Sequence, residues 1–432
     1  APPERRRRPM SRALVLNLAL YALLIAGLAT LSGALLALAL PLLVYLGAAL
    51  ISQPADIALR ARRRLSSERA RPGEPVTVRL EVTNEGRHTA DLLLVDELPA
   101  GLELADGKPT LRAALAPGQS AELTYSVRGE RRLYRFAAAS AVVTDALGLR
   151  SRLVRLPAPG QLFVLPPLAR LRRMDIRPRR TRNNAGLIPA RQGGPGVEFF
   201  GVREYQPGDP TRWVNARVTA RFPQTLFVNE FEQERVADVG LILDARRSSD
   251  VSGPGGALFE HAVEAAASLA DALLERGNRV GLVVYGNALD WTFPGYGKAQ
   301  RERIMRALAR AEQGDHVAFE SLDNLPTRQF PARSQLILIS PLQRGDLPTL
   351  TRLRAHGYEL LVISPDPVSF ERAHLAETPQ AEVALRLASL ERRLLLRRIR
   401  ETGVRVVDWH VEVPFRELAE QALARPFMTL AR

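Results

Sequence analysis

The sequence predicts a multi-domain membrane protein: an N-terminal transmembrane α-hairpin, an all-β sandwich, then a doubly wound α/β domain. Three observations predict it. Residues 13–55 contain no charged side chain. Residues 65–165 carry short alternating segments separated by Pro-Gly and Gly turns. From residue 238 onward, continuous apolar runs alternate with amphipathic helical patterns. The expected domains are a basic tail (1–12), the hairpin (13–55), the β-domain (65–165), a basic linker with a charged and aromatic segment (166–237), and the α/β domain (238–432).

The composition fits this division. At roughly 150 residues per domain, a chain of 432 residues allows two or three, and a hydrophobic content of 46% supplies their cores. The net charge is +14, and nearly all of it is arginine, since lysine occurs only at Lys108 and Lys298. No basic recognition helix is legible, so no specific nucleic acid is expected as a partner. With no cysteine, disulfides, thiolate ligands and a cysteine nucleophile are excluded.

The uncharged run exceeds the roughly 20 apolar residues of one bilayer crossing, and Leu31-Ser32-Gly33 offers a turn between two helices. Pro41 would fall inside the second, where a membrane helix tolerates it. Arg5–Arg8 and Arg12 precede the run, and Arg60, Arg62, Arg63 and Arg64 follow it. Basic flanks stay on the cytoplasmic side. The expectation is a two-pass protein of the inner (cytoplasmic) membrane with its soluble domains in the cytosol. The chain opens on Ala1, and Met10 is a candidate native start.

Within the β-domain, VTVRLEVTN (residues 76–84) alternates apolar and polar side chains, as a half-buried strand does. ADLLLVDELPAGLEL, AELTYSVRG and RFAAASAVVTDALGL follow at the spacing of a sandwich. Residues 170–182 then carry seven arginines and read as a linker or extended arm.

In the last region, VGLILD (239–244) reads as a buried strand and residues 258–276 as a helix. One face of that helix holds Phe259, Ala262, Val263, Ala266, Leu269, Leu273 and Leu274, and Gly277 ends it. RVGLVVY, QLILIS, YELLVIS and VRVVDWHV supply further strands, with helices at 298–311, near 349–355, at 382–402 and at 415–424. Apolar strands alternating with helices imply a mostly parallel sheet, whose ligands bind at the C-terminal strand ends.

Two segments carry candidate sites. The first is the strand end Asp244-Ala245-Arg246-Arg247-Ser248-Ser249. A carboxylate followed by hydroxyls suits a hard cation such as Mg²⁺, and Asp244 can equally pair with Arg246 or Arg247. The second is residues 196–221, GVEFFGVREYQPGDPTRWVNARVTAR. Gln206-Pro207-Gly208-Asp209-Pro210 reads as a turn, with proline fixing φ and glycine permitting φ > 0. Around it Glu198, Glu204 and Asp209 alternate with Arg203, Arg212, Arg217 and Arg221, an expected ion-pair network. Glu198, Arg203, Glu204, Tyr205, Gly208, Asp209, Arg212, Asn215 and Arg221 are the residues expected to define a fold corner or a docking surface. No catalytic residue is expected. The Gly253-Pro254-Gly255-Gly256 run lacks the Lys-Ser/Thr of a phosphate loop, there is no Gly-x-Ser-x-Gly, and no histidines stand at metal spacing.

The run Gly-Val-Glu-Phe-Phe-Gly-Val-Arg-Glu-Tyr-Gln-Pro-Gly-Asp-Pro-Thr-Arg, followed by Asn215, Ala220-Arg221 and Asn229-Glu230-Phe231-Glu232, resembles the signature of domain-of-unknown-function family 58. That resemblance spans nearly the whole chain. Ala216-Arg217 stand where the family has Trp-Lys, so any contact of that Trp is lost. The α/β region also resembles a von Willebrand factor type A domain, whose metal-ion-dependent adhesion site reads Asp-x-Ser-x-Ser. Asp244 and Ser248 match it; Arg246 replaces the middle Ser, and Ser340-Pro341 supplies no carboxylate where a later Asp is expected. A guanidinium cannot ligate a cation. The site is therefore degenerate: no cofactor is expected, with Mg²⁺ at Asp244 and Ser248 as the alternative.

The family resemblance implies a non-enzymatic, membrane-anchored interaction or scaffold protein. It implies an adaptor for a MoxR-type AAA+ ATPase, alongside other membrane proteins such as a transglutaminase-like one, in assembly or envelope and stress processes. The alternative is a divalent-metal-dependent ligand binder using the Asp244 loop.

Overall fold

In a computed structural model of the chain, the uncharged N-terminal run forms two helices, α1 (Arg12–Ala29) and α2 (Gly33–Ile51). The structure describes residues 12–51, 58–144, 151–171, 181–182, 188–249, 251–253, 256–286, 289–314, 320–326, 329–331, 334–376 and 378–423. The side chains of residues 188–198 and 232–236 lie outside this description. The chain divides into two units, Ala1–Val164 and Leu165–Arg432.

The helical hairpin corrects the predicted fold class. Among the described residues no helix is long and apolar enough to cross a membrane. The uncharged run is divided by a turn in which Leu31 takes φ 48°, leaving helices of 18 and 19 residues. At a rise of about 1.5 Å per residue these reach about 27–28 Å, against a hydrocarbon core of about 30 Å. What the structure holds is mixed helix and strand, preceded by a helical hairpin.

The Arg60–Arg64 cluster, read as a cytoplasmic flank, is part of a strand. The first unit contains β1 (Leu59–Leu65), β2 (Arg69–Ala70), β3 (Val76–Asn84), β4 (Ala90–Asp96), β5 (Leu102–Gly107), β6 (Thr110–Leu115), β7 (Ser120–Gly129), β8 (Arg132–Thr144) and β9 (Ser151–Val164). They form a four-stranded sheet, β1-β3-β7-β5, and a five-stranded one, β2-β9-β8-β4-β6. Alternation in β3 buries Val76, Val78, Leu80 and Val82 in one core with Leu94, Tyr125, Phe136 and Leu162. Arg63 points into that core. Its Nη2 lies 2.5 Å from Asp96 Oδ1 with both side chains fully buried, its Nη1 donates to the Ala158 carbonyl, and its guanidinium stacks 4.5 Å from the Phe136 ring centroid. The Tyr125 hydroxyl donates to the other Asp96 oxygen at 2.7 Å. Burial first, and then the Asp96 carboxylate, pushes the Tyr125 phenol far above its ordinary range.

The second unit is built on one long strand. It contains β10 (Thr181–Arg182), β11 (Ile188–Glu204), the short α3 (Ala216–Thr219), β12 (Phe227–Asp244), β13 (Ser252–Gly253), β14 (Gly256–Ala257), α4 (Leu258–Glu275), β15 (Arg279–Tyr285), β16 (Leu289–Gly295), α5 (Gly297–Arg310), β17 (Gln335–Ile339), α6 (Leu347–Ala355), β18 (Glu359–Pro365), α7 (Pro367–Arg372), α8 (Pro379–Glu401), β19 (Arg405–Trp409) and α9 (Phe415–Ala422). The sheet order is β16-β15-β12-β17-β18-β19. Its members run parallel except β16, which is antiparallel to β15. β12 does two jobs: residues 227–235 pair antiparallel with β11, and residues 238–244 lie between β15 and β17. A boundary at 237/238 therefore falls inside a strand.

Period-two alternation sends Leu241 and Leu243 to one face, with α4, α5 and α9, and Ile242 to the other, with α6 and α8. The start of the presumed linker joins the first face. Leu165, Ala169 and Leu171 pack on it, and Ala169 N–H donates to Ser268 Oγ at 2.9 Å. Across the other face lies Phe330, over Gly240 and Gly281, which sit side by side in β12 and β15. A Cβ on Gly240 would come within 2.7 Å of Leu336 and 2.8 Å of Phe330. Gly240→Ala is expected to destabilise the second unit by about 1–3 kcal/mol, the usual cost of overpacking, seen as a lower urea midpoint.

Candidate functional site

Two places bring the predicted residues together: the corner at the far end of the β11–β12 hairpin, and the crest where the parallel strands end.

At the corner, Glu204 pairs with Phe227 across the hairpin, and the chain then turns through residues 206–209. Gly208 takes φ 109°, which a residue with a Cβ rarely adopts. The Arg203 guanidinium closes the turn as a fork, Nη1 and Nη2 each 2.7 Å from one Asp209 oxygen, while Asp209 Oδ2 also accepts the Gln206 N–H at 2.8 Å. Arg203 Nε lies 3.5 Å from Glu230 on β12. Hydrogen bonding to Arg203 first, then to the Gln206 N–H, holds the Asp209 carboxyl below the ordinary range, and Asp209 raises Arg203.

Asn215 supplies the next anchor. Its Oδ1 caps α3 by accepting the Val218 N–H at 3.0 Å, its Nδ2 donates to Asn229 Oδ1 at 2.7 Å, and its own N–H reaches the Phe227 carbonyl at 2.8 Å. Tyr205 N–H donates to the Leu226 carbonyl at 2.8 Å. Trp213 meets Phe231 edge-on, centroids 5.5 Å apart, with the Arg212 guanidinium 6.0 Å from the Trp213 ring centroid.

The expected network is thus smaller than the charge pattern suggested. Among the described residues Arg203, Asp209 and Glu230 form it; Glu204, Arg212, Arg217 and Arg221 enter no ion pair there. Alternating faces explain the exclusion of Glu204, because it and Arg203 point to opposite sides of β11. The side chain of Glu198 lies outside the described residues.

At the crest, the central feature is Arg246. Its side chain is 1% exposed. Nε and Nη2 donate to the two Asp244 oxygens at 2.9 and 2.8 Å, and Nη1 and Nη2 donate to the two Asp346 oxygens at 2.8 and 2.9 Å. Nη1 also donates to the Glu320 carbonyl at 3.2 Å. Asp244 Oδ2 further accepts the hydroxyls of Ser249 (2.8 Å) and Ser340 (2.6 Å), and Asp346 Oδ2 accepts the Gln343 N–H at 2.8 Å. Burial works against the charge on Arg246, but Asp244 and then Asp346 overcome it and raise the guanidinium above its ordinary value. Leu342, in the loop after β17, sits at φ 63°, held by its N–H to Ser340 Oγ at 3.0 Å and by its buried side chain. Positive φ is uncommon for a branched side chain.

Two sequence-level assignments change here. Ser248 is exposed, and Ser249 is the serine bonded to Asp244. The second carboxylate is Asp346, on the one-turn helix Arg344–Asp346, six residues beyond Ser340. The residues present do not fit Mg²⁺, because the oxygens that would ligate it converge on a guanidinium. Among the described residues, no three His, Asp or Glu side chains gather as a metal-holding group.

A second buried arginine spans the neighbouring strand ends. Arg392 of α8 reaches Asp366 at 2.9 Å and Asp408 at 2.6 Å, and donates to the carbonyls of Pro341 (3.0 Å) and Ser364 (3.1 Å). Asp366 also caps α7 through Val368 N–H, and His410 Nδ1 lies 3.1 Å from it. Beside this group opens a cleft of about 760 Å³, lined by Ser369, Arg372, Thr378, Arg386, Ser389 and Arg393 among others. Arg392 carries no sequence signal, being one of many arginines in its helix. Asp346 has a weak one: Gln343 and Asp346 form a capping box before α6.

Arg246→Met is expected to destabilise the second unit by about 3–5 kcal/mol, because it leaves two buried carboxylates facing each other. Adding Asp244→Asn and Asp346→Asn should recover part of that loss in urea unfolding. For the corner the sign follows from the depressed Asp209 carboxyl. Its stabilising effect is present above the unfolded carboxylate range, about pH 4, and is lost as pH falls through the lower folded value. Amide exchange in residues 205–214 should therefore speed up in acid beyond the intrinsic pH effect, and Asp209→Asn should show that faster exchange already at neutral pH.

No curated protein matches the chain. Solved structures match over parts of it. A FixG-related protein from Vibrio parahaemolyticus is 12% identical, covering 24% of this chain and 95% of that one, with a TM-score of 0.17. The CARDB domain of a Pyrococcus furiosus protein, in complex with di-metal ions, is 14% identical over 26% and 97%, with a TM-score of 0.19. A Salmonella alpha-2-macroglobulin mutant is 19% identical over 31% and 9%, with a TM-score of 0.20. TM-scores this low establish no shared fold. The corner and the Arg246 group of the crest, in contrast, lie within residues 201–367, which match the family model described as "Protein of unknown function DUF58" and support that family over this range, while Arg392, Asp408 and His410 fall beyond it.

Proposed function

We propose that the protein is a non-enzymatic interaction module, an adaptor whose second unit presents surfaces to protein partners. The observation that carries this reading is the filled crest. The C-terminal strand ends are where an open α/β sheet offers a ligand site, and here buried guanidinium–carboxylate bridges occupy them. A crest closed by internal ion pairs favours a scaffold over a catalyst. The strand order, with a central β12 and one antiparallel edge strand, supports the finer reading of a von Willebrand type A-like domain with a degenerate adhesion site. The family resemblance supplies the partner class, a MoxR-type AAA+ ATPase. The helical hairpin has no part in this reading.

The test is affinity capture with the full-length protein, with and without a chelator of divalent cations. Capture of an AAA+ ATPase, unchanged by the chelator and lost in a folded Arg203→Ala/Asp209→Ala variant, is the expected result and makes the corner the docking surface. Loss of capture with the chelator supports the metal-dependent alternative at Asp244 only if the protein, free of the ATPase, also binds Mg²⁺ on titration, because an ATPase itself holds its nucleotide through Mg²⁺. Absence of any ATPase removes the adaptor reading.

A further inference from the structure

The helix α8 has three faces. One buries Arg392, Leu396 and Ile399 against the sheet. A second lines the cleft beside Asp366. The third faces solvent, yet carries an apolar row: Val383 is 66% exposed, Leu387 58%, Leu390 48% and Leu394 37%. Their spacing is four, three, four. At 100° per residue they fall within about 60° of one another, the geometry of a coiled-coil seam. Scattered exposed leucines are ordinary on a protein surface; a row in heptad register is not.

The edges of the row carry the information about what covers it. Arg386, Arg393 and Arg397 run along one edge, and Ala384, Glu391 and Arg398 along the other. Glu391 is engaged by Arg344 at 2.6 Å. Among the described residues Arg386 and Arg397 hold exposed pairs within the helix, to Glu382 at 2.6 Å and Glu401 at 4.0 Å, and Arg393 Nε donates to the Ser389 carbonyl at 3.3 Å. Such exposed pairs are weak and exchange readily. A second copy is a poor occupant. Antiparallel pairing would set the arginine edge against itself, parallel pairing would bring Arg393 against Arg398 and leave Arg386 to compete with Arg344 for Glu391, and two chains of net charge +14 repel.

We infer that the solvent face of α8 docks an acidic amphipathic helix of a partner protein, its apolar side on Val383, Leu387, Leu390 and Leu394 and its carboxylates on Arg386, Arg393 and Arg397. This rests on the interaction reading above and names a surface and a partner chemistry for it. The helix packs as a seam whose affinity comes from the leucines and whose choice of partner comes from the arginines.

The probe is a synthetic peptide about three heptads long, with leucine at the seam and glutamate at its flanks, titrated into the full-length protein by fluorescence anisotropy. A twin carries lysine for every glutamate. The acidic peptide is expected to bind at least about tenfold tighter than its twin. Leu387→Ser/Leu390→Ser should weaken it by about tenfold or more, and Arg386→Glu/Arg393→Glu should reverse the preference. All four positions are solvent-facing, and circular dichroism verifies that the variants fold. Equal binding of both peptides, or no loss in the leucine variant, overturns the proposal. So does self-association of the wild type that the leucine variant abolishes, which would make a second copy the occupant. If the peptide arm fails while the ATPase is still captured, the adaptor reading stands and the surface is wrong; if the peptide binds as expected and no ATPase is captured, the reverse holds.

Discussion

The second unit depends on one guanidinium. Asp244 ends the central strand and Asp346 ends the short helix before α6, and Arg246 holds both by four hydrogen bonds at 2.8–2.9 Å. Two carboxylates buried this close would repel each other without a cation between them. Two serine hydroxyls and the backbone N–H groups of Arg246 and Gln343 supply the further donors. The positions of β12, β17 and the loop containing Leu342 are thereby tied together. Because the charge is covalent, this crest keeps its shape whatever the concentration of free cations.

The same device recurs, always with arginine. Arg63 in the sandwich, Arg246 and Arg392 at the crest and Arg203 at the corner each take two or more acceptors at once. A lysine ammonium is a point donor on a flexible stem, whereas the guanidinium is a rigid fork that matches a carboxylate edge to edge. The near-absence of lysine is thus put to structural use at several buried sites. It also limits what the arginine count means, since several of the guanidiniums face carboxylates inside the protein and are not surface charge.

Strands and helices with strong periodicity were legible: β3 from its alternation, α4 from its apolar face. What misled the reading was distance along the chain. The run Arg60–Arg64 looks like a membrane flank until Asp96, more than thirty residues on, claims Arg63. The pairing of Asp244 with Arg246 was legible, two residues on; hidden by distance was Asp346, 100 residues beyond Arg246, on the same guanidinium. Ser248 and Ser249 cannot be told apart by pattern; the one-turn helix at Arg247–Ser249 decides which faces the carboxylate. At the corner, Glu204 and Arg203 are neighbours in sequence but on opposite faces. The turn at Leu31-Ser32-Gly33 was legible; overread were the two halves, helices of 18 and 19 residues of which neither is long and apolar enough to cross a membrane.

The continuity of β12 gives the molecule a mechanical property. The corner hangs on residues 227–231, and the same uninterrupted strand runs on to Asp244 between two parallel neighbours. A tug on the corner along the strand axis loads the hydrogen bonds on both sides of residues 238–244 together, in shear, instead of peeling them one by one. Arg246 and Asp346 clamp the far end of the same strand. The hairpin is accordingly a rigid handle: force applied by anything that grips the corner arrives undamped at the middle of the sheet.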